Sequence, residues 1–117
     1  MLYMINGIVA SLSGLKANEK KLANTAGNIA NFTTDGYKKT EATITEDAAG
    51  LPDVTLTRVT TPGAIIVAAD GVPRETSNVD LSREMTDMLI ATRAYQANIK
   101  ALKAQDETVE SLLDIFA

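Results

Sequence analysis

The chain of 117 residues has no cysteine, no histidine and no tryptophan, and only two Phe, three Tyr and three Pro. Without cysteine there is no disulfide, no thiolate nucleophile and no thiolate zinc ligand, and the redox compartment leaves no mark on the sequence. Without histidine the usual general base near neutral pH and the commonest transition-metal ligand are both missing. So few aromatic side chains leave little with which to fill a compact interior. No apolar run of about 20 residues is present, so no membrane-spanning helix is expected. The opening stretch MLYMINGIVASLSGL lacks the basic start and the Ala-x-Ala site of a cleaved signal peptide. The formal net charge is -4 and the pI about 4.7. That balance argues against nucleic acid as a partner, because phosphate binding needs clustered cations.

Chemistry-bearing motifs are absent as well. There is no phosphate-binding glycine loop, nucleophile motif or metal-ligand spacing. Acid pairs such as Asp106 with Glu110 read as a solvated helix face, since no pocket-forming segment accompanies them. The expectation is a protein that is not an enzyme, with no catalytic, cofactor-binding or metal residues, no cofactor and no small-molecule substrate.

What is present is helical periodicity. From Leu81 the positions 81, 85, 88, 92, 95, 99, 102, 106, 109, 113 and 116 advance in alternating steps of four and three, and nine of these eleven are apolar or aromatic. This is the two-per-heptad stripe of a helix whose seam faces another helix. Neither Gly nor Pro follows Pro73, and Ala, Lys, Glu, Arg and Gln fill the intervening positions, all good helix formers. Forty helical residues span about 60 Å. A helix of that length cannot be wrapped by the rest of its own chain, so the stripe requires a partner: the N-terminal helix, other subunits, or both.

Residues 2–31 repeat the pattern at Ile5, Ile8, Leu12, Leu15, Glu19, Leu22, Ala26 and Ile29, broken only by Glu19. Gly7, Gly14 and Gly27 each cost about 0.5–1 kcal/mol relative to Ala inside a helix. This first helix is therefore long but intrinsically poor, and is expected to be largely disordered in the isolated subunit. Asp35-Gly36 is a turn or cap signal. Between Lys38 and Pro73 threonine is dense and Gly and Pro punctuate, which predicts two or three short strands. Thr43 to Gly50 has little to bury and is expected to be mobile. Thr76-Ser77-Asn78-Val79-Asp80 offers several N-caps for the second helix. Asp106, Glu107, Glu110 and Asp114 lie near that helix's C-terminal end, where negative charge is unfavourable.

The predicted fold is mainly α. Long N- and C-terminal helices pair as an antiparallel coiled-coil-like hairpin with a small β-rich insert between them. In domain terms, residues 1–34 and 77–117 make one helical axial domain and residues 35–76 the insert. Equal helical rise makes paired positions sum to about 110. That register puts Leu22 by Met88, Leu15 by Tyr95, Ile8 by Leu102, and Glu19 beside Thr92 and Arg93.

Two stretches carry a family resemblance. Ala26-Gly27-Asn28-Ile29-Ala30-Asn31-Phe32-Thr33-Thr34-Asp35-Gly36-Tyr37-Lys38 resembles the ANNxANxxTxGYK signature of bacterial flagellar rod and hook proteins, departing from it at Gly27 and Thr33, both commonly Asn. Ser77-Asn78-Val79-Asp80-Leu81-Ser82-Arg83-Glu84-Met85, followed by Met88, Ala91, Arg93, Tyr95, Gln96-Ala97-Asn98 and Gln105-Asp106, is similar to that family's C-terminal signature. The resemblance implies a structural subunit of the flagellar basal-body rod, in which terminal helices pair into the inner layer of a tube. Implied partners are copies of itself, other axial proteins of rod and hook, and the flagellar type III export apparatus. The implied location is the periplasmic rod region of the basal body, reached by export across the inner membrane. The short middle segment favours a proximal-rod subunit of the FlgC kind. The Thr-Asp-Gly-Tyr-Lys and Ser-Asn-Val-Asp-Leu-Ser sequences look more like hook or distal-rod members. A free-standing helical-hairpin adaptor or export chaperone is the alternative of a different class.

Overall fold

The structure is a computed structural model that describes residues 2–117; Met1, included in the first predicted segment, lies outside the described residues. Helix α1 runs Leu2–Ala30 and helix α2 Leu81–Phe116. Between them lie β1 (Thr40–Glu46), β2 (Pro52–Arg58), β3 (Ile65–Val67) and β4 (Pro73–Glu75). The Cα positions extend over 77 × 25 × 14 Å, a slab about one helix thick.

The helices lie side by side and antiparallel. A methyl group built on Gly7 would stand 2.8 Å from Gln105 Nε2, and one on Gly14 2.8 Å from Asn98 Oδ1. Farther along, the Asn28 amide donates to Glu84 at 3.2 Å. Each of these pairs sums to 112, two residues from the predicted register and within one turn of it. Ile8 and Leu102, predicted neighbours, line a common surface cavity.

The phase of the seam differs from the prediction. The buried residues of α1 are Ser11, Gly14, Ala17, Asn18, Thr25 and Asn28, one position round from the apolar stripe. Ile5 and Leu12 of that stripe remain 51% and 45% exposed. On α2 the most buried residues are Glu84 and Ala91, while Met85 and Leu113 are exposed. The physical reason is closeness: glycine, alanine and short polar side chains let two backbones approach where leucine and isoleucine would hold them apart. The helices thus meet along their small residues and along half of each predicted stripe, with Ile8, Leu15, Leu22 and Ile29 on α1 and Met88, Tyr95, Leu102 and Val109 on α2 half-buried, while the other half of the grease turns outward. Glu19 and Arg93 are both exposed, and no ion pair joins them. The predicted meeting of the two polar breaks therefore does not occur as a salt bridge.

The insert holds four strands in two antiparallel hairpins, β1 with β2 and β3 with β4, where two or three strands were predicted. Thr43–Glu46, expected to be mobile, belong to β1 and pair with Pro52–Thr55. Their order comes from the turn. Asp47 Oδ1 accepts from the Ala49 and Leu51 amides at 2.8 and 2.9 Å, and Gly50 takes φ +73°, a conformation that favours glycine. The first hairpin rests on α1, tied by Lys20 to Asp53 at 2.7 Å and by buried Val54. Helix α2 starts as its sequence predicts: the Asp80 carboxylate accepts from the Arg83 amide at 3.2 Å, satisfying one of the free first-turn donors.

Candidate assembly site

The two motif stretches meet at the closed end of the hairpin, and one side chain joins them. Asn28 is 1% exposed. Its Oδ1 accepts from the Thr40 amide at 3.1 Å and from the Tyr37 hydroxyl at 3.2 Å. Its Nδ2 donates to the Thr40 carbonyl at 2.8 Å and to Glu84 Oε2 at 3.2 Å. A single amide thus ties α1, the loop after it, β1 and α2. Asn24 adds a second donor to the Thr40 carbonyl at 2.6 Å.

Asn78 does the corresponding work from the second motif. Its Oδ1 accepts from the Lys39 amide at 2.7 Å, and its Nδ2 donates to the carbonyls of Val59 and Thr61 at 3.0 and 2.8 Å. Its own amide donates to the Tyr37 carbonyl at 3.2 Å. Gly36, between the motif's Asp35 and Tyr37, takes φ +69° and donates its amide to the Glu75 carbonyl at 2.8 Å. The Glu75 carboxylate accepts from Lys38 and from the Gly63 amide. Those two donors, Lys38 first, hold its carboxyl below the usual carboxylate range. Asp53 is lowered likewise, chiefly by the hydrogen bond from Lys20 and then by the Val54 amide. Among the described residues no buried side-chain nitrogen or oxygen lacks a partner, so the junction is a fully satisfied polar clasp.

Beyond the clasp the hairpin is open-ended and greasy. Leu2, Tyr3, Ile5, Val9 and Leu12 on α1 are exposed, as are Leu113, Ile115 and Phe116 on α2. Met4, Val109, Leu112, Leu113 and Phe116 line an apolar groove between the two ends. Met85, Leu89 and Ile90 form a separate exposed set near the start of α2. Among the described residues no group of three or more metal-ligating side chains comes together, and no helix is long and apolar enough to cross a membrane. The chemistry on offer is contact: a rigid polar clasp at one end, and apolar helix surface at the other that a single copy leaves in water.

Comparison with known proteins places this geometry. A family model described as the flagellar basal body rod FlgEFG protein C-terminal region matches residues 74–115. That C-terminal stretch is similar to the flagellar rod and hook proteins. The match takes in Asn78, the Asp80 cap, Glu84 and nearly all of α2, whereas Asn28 and Tyr37 lie before it. The flagellar hook protein FlgE of Escherichia coli K12 is 44% identical over 41 residues, which is 35% of this chain and 10% of that protein. The hook protein FlgE of Helicobacter pylori 26695 is 42% identical over 45 residues, 38% of this chain and 6% of that protein. The flagellar basal-body rod protein FlgG of Bacillus subtilis 168 is 42% identical over 41 residues, 35% of this chain and 16% of that protein. The chain therefore matches a small fraction of each relative's length. Neither the Asn28 nor the Asn78 clasp is evident from periodicity or spacing; the only signal for either is that both asparagines fall within the two family motifs.

Proposed function

We propose that the chain is a structural subunit of the flagellar axial tube, in the basal-body rod, assembling helically through its terminal helices. In this reading residues 1–34 and 77–117 act as one axial domain, and residues 35–76 are an appendage held by the Asn28 and Asn78 clasp. The observation that carries it is the phase of the helix seam. The hairpin closes on glycine, alanine and short polar residues together with half-buried Ile8, Leu15 and Leu22, and leaves Leu2, Ile5, Val9 and Leu12 in solvent. Fully burying one Val, Leu or Ile side chain contributes about 1.5–3 kcal/mol, so this surface strongly favours a neighbouring copy over water. The relatives support an axial role, and the small size of the insert supports rod over hook.

A hook-type or distal-rod-type subunit is the second reading, favoured by the hook proteins among the relatives. Partners in either case are copies of the chain, other axial proteins and the flagellar type III export apparatus, with export across the inner membrane. The test is assembly. Concentrated protein should form polymers visible by light scattering and electron microscopy, and trimming a few residues from either end should abolish polymers while leaving the protein soluble. A discrete oligomer at every concentration would instead identify a hairpin adaptor. Tagging the subunit and imaging isolated basal structures distinguishes rod from hook by position.

A further inference from the structure

The outward face of α2 carries a charge pattern that neither the helix seam nor the insert uses. Arg93, Lys100, Lys103, Glu107, Glu110 and Asp114 fall within about 100° of helix arc, from a rotation of ~100° per residue. All six are exposed, and among the described residues none takes part in an ion pair. The cations come first and the anions last, with the sign changing between Lys103 and Glu107. A row of charges that reverses about its own midpoint is complementary to itself when turned end for end, the condition for an isologous contact across a two-fold axis.

We propose that two copies of the chain pair through this face, their α2 helices antiparallel across a two-fold axis beside Ala104. Arg93 of each copy then faces Asp114 of the other, and Lys100 faces Glu107. An in-register parallel pairing would set like charges against like, which is unfavourable. The line adjoining the charges bears Ala97, Ala101, Ala104, Thr108 and Ser111, all exposed. The same axis, to within one residue of its position along the helix, places Ala97 opposite Ser111 and Ala101 opposite Thr108, so the contact sets short side chains between the helices. Exposed ion pairs are individually weak and are screened by salt, so the dimer is weak and salt-sensitive. It is also closed: a polymer whose subunits all point one way has no place for it, and pairing of this kind holds copies out of assembly. The dimer stands or falls apart from the axial reading, since it needs only α2.

Because the chain has no cysteine, disulfide trapping reads the geometry directly on the full-length protein. Ala97→Cys and Ser111→Cys variants, mixed under mild oxidation, should yield a cross-linked heterodimer, while each alone yields little. The heterodimer should decline severalfold between about 0.1 and 1 M salt, as the Debye length falls from ~10 to ~3 Å. Adding Lys100→Glu to both should also reduce it severalfold, and adding Glu107→Lys to that pair should restore it. Self-linking of each variant alone would establish a parallel contact and overturn the proposal. So would the absence of any cross-link at high concentration, with circular dichroism showing both variants folded. Polymer formation, scored separately, bears only on the axial reading.

Discussion

The Asn28 amide uses both of its ends fully, and nothing of similar shape can replace it. Alanine would leave the Thr40 amide without this acceptor, the Thr40 carbonyl with Asn24 alone, and buried Glu84 without its donor. Buried polar groups stripped of a partner cost about 1–3 kcal/mol each. Asn28→Ala should therefore destabilise the fold by about 2–4 kcal/mol in urea titration. Asn28→Asp is a sharper test. It sets a second carboxylate beside Glu84, so its penalty should shrink as pH falls through the carboxylate range. An Asn28→Asp penalty, measured against the unsubstituted chain, that is the same at pH 7 and pH 4 would contradict the assigned contact. Gly63 is a second sensitive residue, because a methyl group there would run into the Thr76 carbonyl, with the Thr76 carbonyl carbon at 2.8 Å and the Ser77 oxygen at 3.0 Å. Backbone atoms cannot swing aside, so Gly63→Ala should cost about 1–3 kcal/mol.

Among the elements, α1 is the one whose sequence opposes its structure. Gly27 has no atom within 4 Å of an added methyl group, unlike Gly7 and Gly14. Gly27→Ala should therefore raise stability by about 0.5–1 kcal/mol and deepen the helical signal in circular dichroism. The paired hairpins respond to acid. Glu75 and Asp53 both titrate below their ordinary values. Depressed carboxylates stabilise the fold above the usual range, and that contribution disappears as protons bind. Stability should hold near neutrality and fall between about pH 5 and pH 3. Glu75→Gln should be weaker at neutral pH and lose less on acidification. The start of α2 and the antiparallel pairing are legible in the sequence because Asp80 and the hydrophobic period act locally, whereas α1 stops at Ala30, short of residue 34 and before the Gly36 turn. The seam's phase is not. Hydrophobicity marks where leucine recurs, while the closest packing here follows Gly7, Ser11, Gly14 and Asn18, which a hydrophobic scan ignores. The clasp is equally invisible to such a scan, because Asn28, Asn78 and Glu84 meet only after folding. The order of Thr43–Glu46 likewise depends on the Asp47–Gly50 turn that follows directly.

For the whole molecule, folding and assembly draw on different surfaces. Leu12 is on the outward side of α1 and about half exposed. Leu12→Lys should leave the stability of the single subunit within about 0.5 kcal/mol and yet prevent polymer formation. Loss of both together would mean that the stripe closes the hairpin after all. The 14 Å dimension has a thermal consequence of its own. A body this thin has almost no interior: among the described residues the buried apolar ones are Ala17, Val54, Val79 and Ala91. The heat capacity of unfolding tracks the apolar area released, so melting of a lone copy should be broad and shallow in a calorimeter. A sharp, cooperative transition should appear only when neighbours supply the missing bulk.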